Sequence, residues 1–175
     1  GSERDALRSQ DAPLVTGRGK FTHDLDMTRQ VHAAFVRATV ADAIVGKVEV
    51  APAIKMPGVV AVLRGSDLAA DNIGGIPPVA SFNGRDGSPM FHATMPVLAA
   101  ERVRYVGEAI AIVIAETVYQ AQDAADRIDV QYEQLVAAPN VERAMAKDAP
   151  VIWPEAPGNI ALDWEYGDAV AADAA

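Results

Sequence analysis

The hydrophobic pattern changes period several times along the chain, and each change marks an element. The clearest run is AIAIVIA at 109–115, fenced by Glu108 and Glu116. Apolar residues at both parities over a whole strand length predict a strand buried on both faces, with Ile112 and Ile114 in the core. Thr117 and Gln120 then stand at capping-box spacing, and Val118, Ala121, Ala125 and Ile128 recur at the helical period. From Ile128 the period drops to two, with Ile128, Val130 and Tyr132 alternating with Asp129, Gln131 and Glu133. The segment 109–133 is thus predicted as strand, helix, strand.

Upstream, 31–38 predicts a first strand, and Val48 and Val50 alternating with Lys47 and Glu49 predict a second. Pro52 opens a short helix that Pro57 and Gly58 end. GVVAVLRG at 58–65 is rich in β-branched residues between turn formers and predicts another buried strand, after which Ser66 caps a helical turn reaching Ala70. The stretch 71–96 is a long loop, with six glycine or proline residues inside 74–87. Loops of that length in a compact domain are either functional or mobile. Downstream, a short helix over 141–146, a proline-punctuated loop and a strand over 160–166 complete the pattern. Strands and helices in mixed order, with no internal repeat, describe an α+β or α/β layer and exclude a sandwich.

The 175 residues suit one domain. Their division is a polar lead-in at 1–13, where Gly1 and Ser2 have the composition of a cloning scar, one domain over 14–166, and a linker over 167–175. A net charge of -9 repels phosphate backbones and anionic lipid, so nucleic acid is not an expected partner. The absence of cysteine excludes disulfides, thiolate metal sites and a cysteine nucleophile on these residues. No apolar run approaches the roughly 20 residues of a membrane span, and the opening residues have no signal-peptide core. A cytoplasmic location is the expectation.

Candidate chemistry is sparse. Gly17, Arg18, Gly19, Lys20, Phe21 and Thr22 begin like a dinucleotide fingerprint, but Thr22 stands where its third glycine belongs, and Phe21 after Lys20 breaks a P-loop. The competing reading is a glycine turn with positive φ ahead of the first strand. His23, His32 and His92 are scattered without the i, i+4 spacing of a helical metal site. His23, beside Asp24 and Asp26, fits a solvated turn, and His32 a strand end. Glu108, at the mouth of the most buried strand, is a candidate acid or base, or else a gatekeeper paired with Arg102 and Arg104. No serine sits in a nucleophile elbow, and Trp153, Trp164, Tyr105 and Tyr132 read as core or interface aromatics. No catalytic, cofactor-binding or metal-binding residue is assigned.

Six stretches in order carry a family resemblance: RSQDAPLVTGRGKFTHDLDM (8–27), QVHAAFVRA (30–38), MPGVVAVLRGSDL (56–68), ERVRYVGEAIAIVIAET (101–117), AQDAADRIDVQYEQL (121–135) and DAPVIWPEAPGNIA (148–161). Together they resemble the N-terminal α/β-hammerhead domain of the molybdopterin-binding large chain in the aldehyde oxidase, xanthine dehydrogenase and carbon monoxide dehydrogenase family. The resemblance implies an α+β fold, a mixed curved sheet with a few short helices. It also implies a piece of a longer chain, whose further domains bind a molybdopterin-type molybdenum cofactor and supply a glutamate base. In such enzymes water-derived oxygen is transferred to an aldehyde, an N-heterocycle or a similar small molecule. Electrons then pass through [2Fe-2S] clusters, and usually FAD, on other domains or subunits, which are the implied partners. This domain would scaffold that oxidation without being competent alone; the alternative is a standalone hammerhead domain serving interaction or assembly. TVADAI (39–44) replaces a histidine-containing stretch common in relatives, and Trp153 stands where histidine is common. Both departures leave the subfamily open.

Overall fold

The computed structural model describes residues 11–168, so the Gly1 and Ser2 pair, most of the polar lead-in and most of the 167–175 linker lie outside the described residues. The chain divides between Val31 and His32 into two compact units. The first holds the short helix α1 (Asp11–Val15), a glycine turn and a 3-10 turn (Thr22–Asp24) fastened by the Asp24 carboxylate, which accepts the Phe21 backbone N–H at 2.9 Å.

In the second unit, the strands are β1 (His32–Arg37), β2 (Ala43–Glu49), β3 (Val59–Arg64), β4 (Arg102–Val103), β5 (Ala109–Ala115) and β6 (Asp129–Gln134). They form two antiparallel three-stranded sheets, ordered β1-β5-β3 and β4-β2-β6. The helices are α2 (Ala51–Ile54), α3 (Gly65–Ala70), α4 (Val118–Ala125) and α5 (Val141–Ala144). The mixed α+β architecture agrees with the sequence, and the strand, helix, strand unit is β5, α4 and β6. Its helix starts where Thr117 Oγ1 accepts the Gln120 backbone N–H at 3.2 Å.

The main core lies between α4 and the β1-β5-β3 sheet. Ala121, Ala124, Ala125 and Ile128 pack on Ala34, Val113 and Ala115, with Ala53 of α2 closing one side. Alanine on both partners lets helix and sheet approach closely, which explains why so few aromatic residues are needed. A second core of Ala38, Ala43, Val45, Ala99, Val103 and Ile110 lies against the β4-β2-β6 sheet. Ile110 reaches it through an irregularity in the β1-β5 register, where Val36 faces Ala111 but Arg37 faces Ala109. The extra residue turns Ile110 inward beside Ala111, and both are completely buried.

Three expectations need correction. Ile112 and Ile114 are not core; they are half-buried on the face of β5 turned away from α4. The segment 160–166 is not a strand: Phe91 N–H donates to Ala161 O and Arg85 N–H to Asp163 O, but these isolated bonds do not repeat into a ladder, and alternation without a ladder makes no sheet. Ser66 does not cap α3. The helix starts one residue earlier, and the Asp67 carboxylate accepts the Arg64 backbone N–H at 2.8 Å and its guanidinium at 2.8 and 3.0 Å.

The long stretch 71–96 has no regular element but is held by bonds within itself and to the 160–166 segment. Ile76 bridges Met95, Asn83 bridges Pro89, and Arg85 pairs with Asp163 at 2.5 Å.

Candidate functional site

The residues with most chemistry gather where β4 and the turn before β5 meet the 150–153 stretch. Two acids are deeply buried there, Asp42 at 6% exposure and Glu108 at 3%. Asp42 comes from the end of the β1–β2 connection. Its two oxygens accept from the Arg102 guanidinium at 2.8 and 2.7 Å, a bidentate pair that keeps Arg102 firmly protonated. Arg102 also donates to Val151 O at 3.1 Å.

Arg104, two residues on, has a different environment. Its guanidinium lies 3.6 Å from the centroid of the Trp153 ring and donates to Ile152 O at 3.3 Å. Burial, followed by the charge of Arg102, lowers its pKa, while Glu108 opposes that shift. Glu108 accepts the Arg104 backbone N–H at 2.6 Å, and its own carbonyl accepts the Ala38 N–H at 2.8 Å. The gatekeeper reading of Glu108 therefore holds in modified form. Its close partner is a backbone N–H inside its own turn, and Arg102 belongs to Asp42.

A cavity of about 220 Å³ adjoins this cluster, lined by Thr94, Met95, Arg104, Tyr105, Glu108 and Trp153 among others. Its wall is mostly apolar, and its charged groups already have partners. Among the described residues, no buried side-chain nitrogen or oxygen lacks a hydrogen-bond partner. Glu108 Oε2 is used to close its own turn onto the Arg104 backbone N–H. A larger cavity of about 390 Å³ between the sheets is lined by Lys47, Glu49, Arg64 and Ile110, with Lys47 paired to Glu49 and Arg64 to Asp67. Both pairs are largely exposed at the cavity mouth and already matched, which leaves little charge for a ligand.

The other candidates are dispersed. Gly17 has φ of 67°, as the turn reading required, and at Gly19 a Cβ would come within 2.7 Å of the Leu14 side chain. That turn closes onto its own helix and offers no open cradle to a phosphate. His32 begins β1 opposite Ala115, and His92 Nε2 lies 3.2 Å from Ser81 Oγ. No group of three or more His, Cys, Asp or Glu among the described residues is arranged to hold a metal ion.

Of the aromatic residues, Tyr132 is half-buried against the second core, with burial raising its pKa. Trp153 also meets Phe91 at 5.8 Å between centroids, whereas Trp164 is 55% exposed and meets Phe82 and Tyr166 at 6.0 and 5.9 Å. Two residues escaped the sequence reading. Asp42 had one signal, a lone acid among small apolar residues next to a strand. Asn159, with φ of 57°, accepts from Ile152 N–H and donates to Ala144 O and Pro150 O, all at 2.9 Å, and so ties together the irregular 144–160 stretch.

No described helix is long and apolar enough to cross a membrane. Comparison with known proteins places the fold. The nicotine 6-hydroxylase large subunit of Paenarthrobacter nicotinovorans is 34% identical over 155 residues, 89% of this chain but 18% of that protein. The carbon monoxide dehydrogenase large chain of Hydrogenophaga pseudoflava is 30% identical over 97% of this chain and 21% of its own length. Among solved structures, quinoline 2-oxidoreductase from Pseudomonas putida 86 superposes with a TM-score of 0.73 at 35% identity, covering 82% of this chain and 17% of that one. Carbon monoxide dehydrogenase from Oligotropha carboxidovorans reaches 0.77 at 27% identity, covering 95% and 21%. The chain thus spans about a fifth of the length of these relatives. Residues 16–136 match the family described as aldehyde oxidase and xanthine dehydrogenase, a/b hammerhead domain, and the chain belongs to that family.

Proposed function

We propose that these residues form the N-terminal scaffold domain of a molybdenum hydroxylase large subunit. The observation that carries this reading is a hammerhead fold in which, among the described residues, the buried charges have partners within the fold. Such a domain braces neighbouring structure and performs no proton transfer of its own. The molybdopterin-type cofactor and the catalytic base then belong to further domains of the chain, and the [2Fe-2S] clusters and FAD to other domains or subunits. The domain organisation follows the sequence division, with one hammerhead domain over 14–166 and a linker beyond it.

The substrate class we favour is an N-heteroaromatic ring. Nicotine 6-hydroxylase and quinoline 2-oxidoreductase, at 34% and 35% identity, are named for such substrates, and the carbon monoxide dehydrogenases stand at 27–30%. Aldehydes are the competing class.

The test is to isolate the native gene product and measure its intact mass, molybdenum content and dye-linked oxidation of quinoline, nicotine and benzaldehyde. A chain several times longer than 18.4 kDa, with molybdenum and ring-hydroxylating activity, is expected. A product near 18.4 kDa without metal would make this a freestanding interaction or assembly domain. Preference for benzaldehyde would overturn the substrate class alone.

A further inference from the structure

The face of the β1-β5-β3 sheet turned away from α4 is apolar without interruption. Ala33, Ile114 and Ala61 align as one cross-strand row, and Phe35, Ile112 and Leu63 as the next. None of the six carries a polar side-chain group, yet Phe35 is 43% exposed, Ala33 is exposed and the other four are only half-buried. Val60, beside them on β3, is 61% exposed. Antiparallel sheets that keep one face in water alternate apolar with polar residues, and β6 in the other sheet does so. β5 does not. At the rim, Arg37 lies 5.3 Å from the Phe35 ring centroid and donates to Gly107 O at 2.9 Å, giving an apolar centre a polar border.

We propose that this face is the docking surface for polypeptide beyond residue 175 of the same large chain. The inference rests on the scaffold-domain reading above. Two considerations select that occupant. Relatives carry about four fifths of their length outside the matched region, so in a chain of their size most of the polypeptide is available to cover this face. The patch is also small. Three strands about 4.8 Å apart and two rows of side chains give about 200 Å², against about 800 Å² per partner for a freestanding specific interface. A contact of that size is effective when its partner is tethered, since linkage makes docking intramolecular. A second copy would have to bring another net charge of -9 against this one with no such advantage.

The experiment uses the full-length gene product in its native assembly. A photo-crosslinking p-benzoylphenylalanine replaces Phe35 in one variant and Tyr119, which is 79% exposed on α4, in a control. On irradiation, the label at position 35 should join a peptide beyond residue 175 within one polypeptide, and the label at 119 should not capture that peptide. Capture of a different subunit or of a second copy, or no capture by a folded and active enzyme, would overturn the proposal. Radical footprinting of the unsubstituted enzyme gives an independent reading. Ile112, Ile114 and Leu63 should lose labelling nearly to the level of buried Val113, and labelling approaching that of exposed Val79 would overturn the docking surface. Intact mass separates the two inferences. A gene product near 18.4 kDa defeats the scaffold reading and this one together, and a long chain with an open face defeats only this one.

Discussion

The two sheets solve the same problem of burying one face in opposite ways. In the β4-β2-β6 sheet the strands alternate. β6 places Val130 and Tyr132 inward and Asp129, Gln131 and Glu133 outward, and at one end the bidentate Asp42–Arg102 pair ties the start of β2 to β4. In the β1-β5-β3 sheet β5 is apolar throughout, its odd positions packed by α4 and its even positions Ile112 and Ile114 left half-covered. Where a sheet face is meant for water, polar residues are written into every second position. Their absence marks a face meant for protein, whether or not that protein is at hand.

The sharpest way to break this comparison is at the ion pair. Asp42→Ala leaves the Arg102 guanidinium, whose side chain is 18% exposed, without its carboxylate. Removing one member of a buried pair costs about 3–5 kcal/mol, and the urea midpoint should fall accordingly. The double variant Asp42→Ala with Arg102→Met should recover much of that loss. A single-variant cost below about 1 kcal/mol would show that Arg102 swings into water and that the pair does not tie β2 to β4. Ile110→Ala comes next. The side chain is completely buried at the register irregularity linking the two cores, and a large-to-small change there costs about 2–5 kcal/mol in the same titration. A negligible change would mean that β5 continues in regular register and that Ile110 faces outward with Ile112.

The register irregularity also marks the limit of what was legible in the sequence. The β5, α4, β6 unit was readable because period and cap are local properties: seven apolar residues, Thr117 at the N-cap, then alternation. Which parity of β5 faces the core was not, because in a strand apolar at every position the burial is decided by where α4 lands and by one extra residue opposite β1. The two-residue β4 is too short to carry a pattern, and 160–166 carried a pattern without a partner strand. Within the site the sequence did bring forward Glu108, Arg102 and Arg104, but it gave both arginines to Glu108, where the structure keeps only Arg104 beside it. The pairing of Arg102 with Asp42 spans sixty positions of chain, and the bond from Glu108 to the Arg104 backbone depends on turn geometry that no spacing rule expresses. The family resemblance supplied the fold that period and spacing could not.

A smaller effect tests the rim of the apolar sheet, where β3 passes into α3. The Asp67 carboxylate is held below its ordinary value of 3.8, first by its hydrogen bond to the Arg64 guanidinium and then by the Arg64 backbone N–H, against opposing desolvation. A carboxyl with a lowered folded pKa adds stability that is complete above the unfolded value and disappears as pH falls through the folded one. Asp67→Asn should therefore cost about 1 kcal/mol near neutrality, a figure kept small because both side chains are about a third or more exposed. The difference from wild type should shrink as pH drops below 3.8. Urea titrations at neutral and acid pH check this, and a pH-independent difference would assign the loss to backbone capping geometry and not to the charge.

In the 175-residue chain the smallest expected effect is on the open face. Ile112→Thr keeps a β-branched side chain in the strand, so its β propensity is preserved, and adds a hydroxyl on a face that water already reaches in the 175-residue chain. There the cost should stay within about 0.5 kcal/mol, the range of ordinary surface substitutions. In the full-length chain the same hydroxyl would be buried against the docked polypeptide without a designed partner, and the penalty should rise to about 1–3 kcal/mol. The contrast between the two backgrounds is the informative quantity. A cost as large in the 175-residue chain as in the long one would mean that these residues cover the face themselves, and the asymmetry between the two sheets would then be one of amino-acid composition alone.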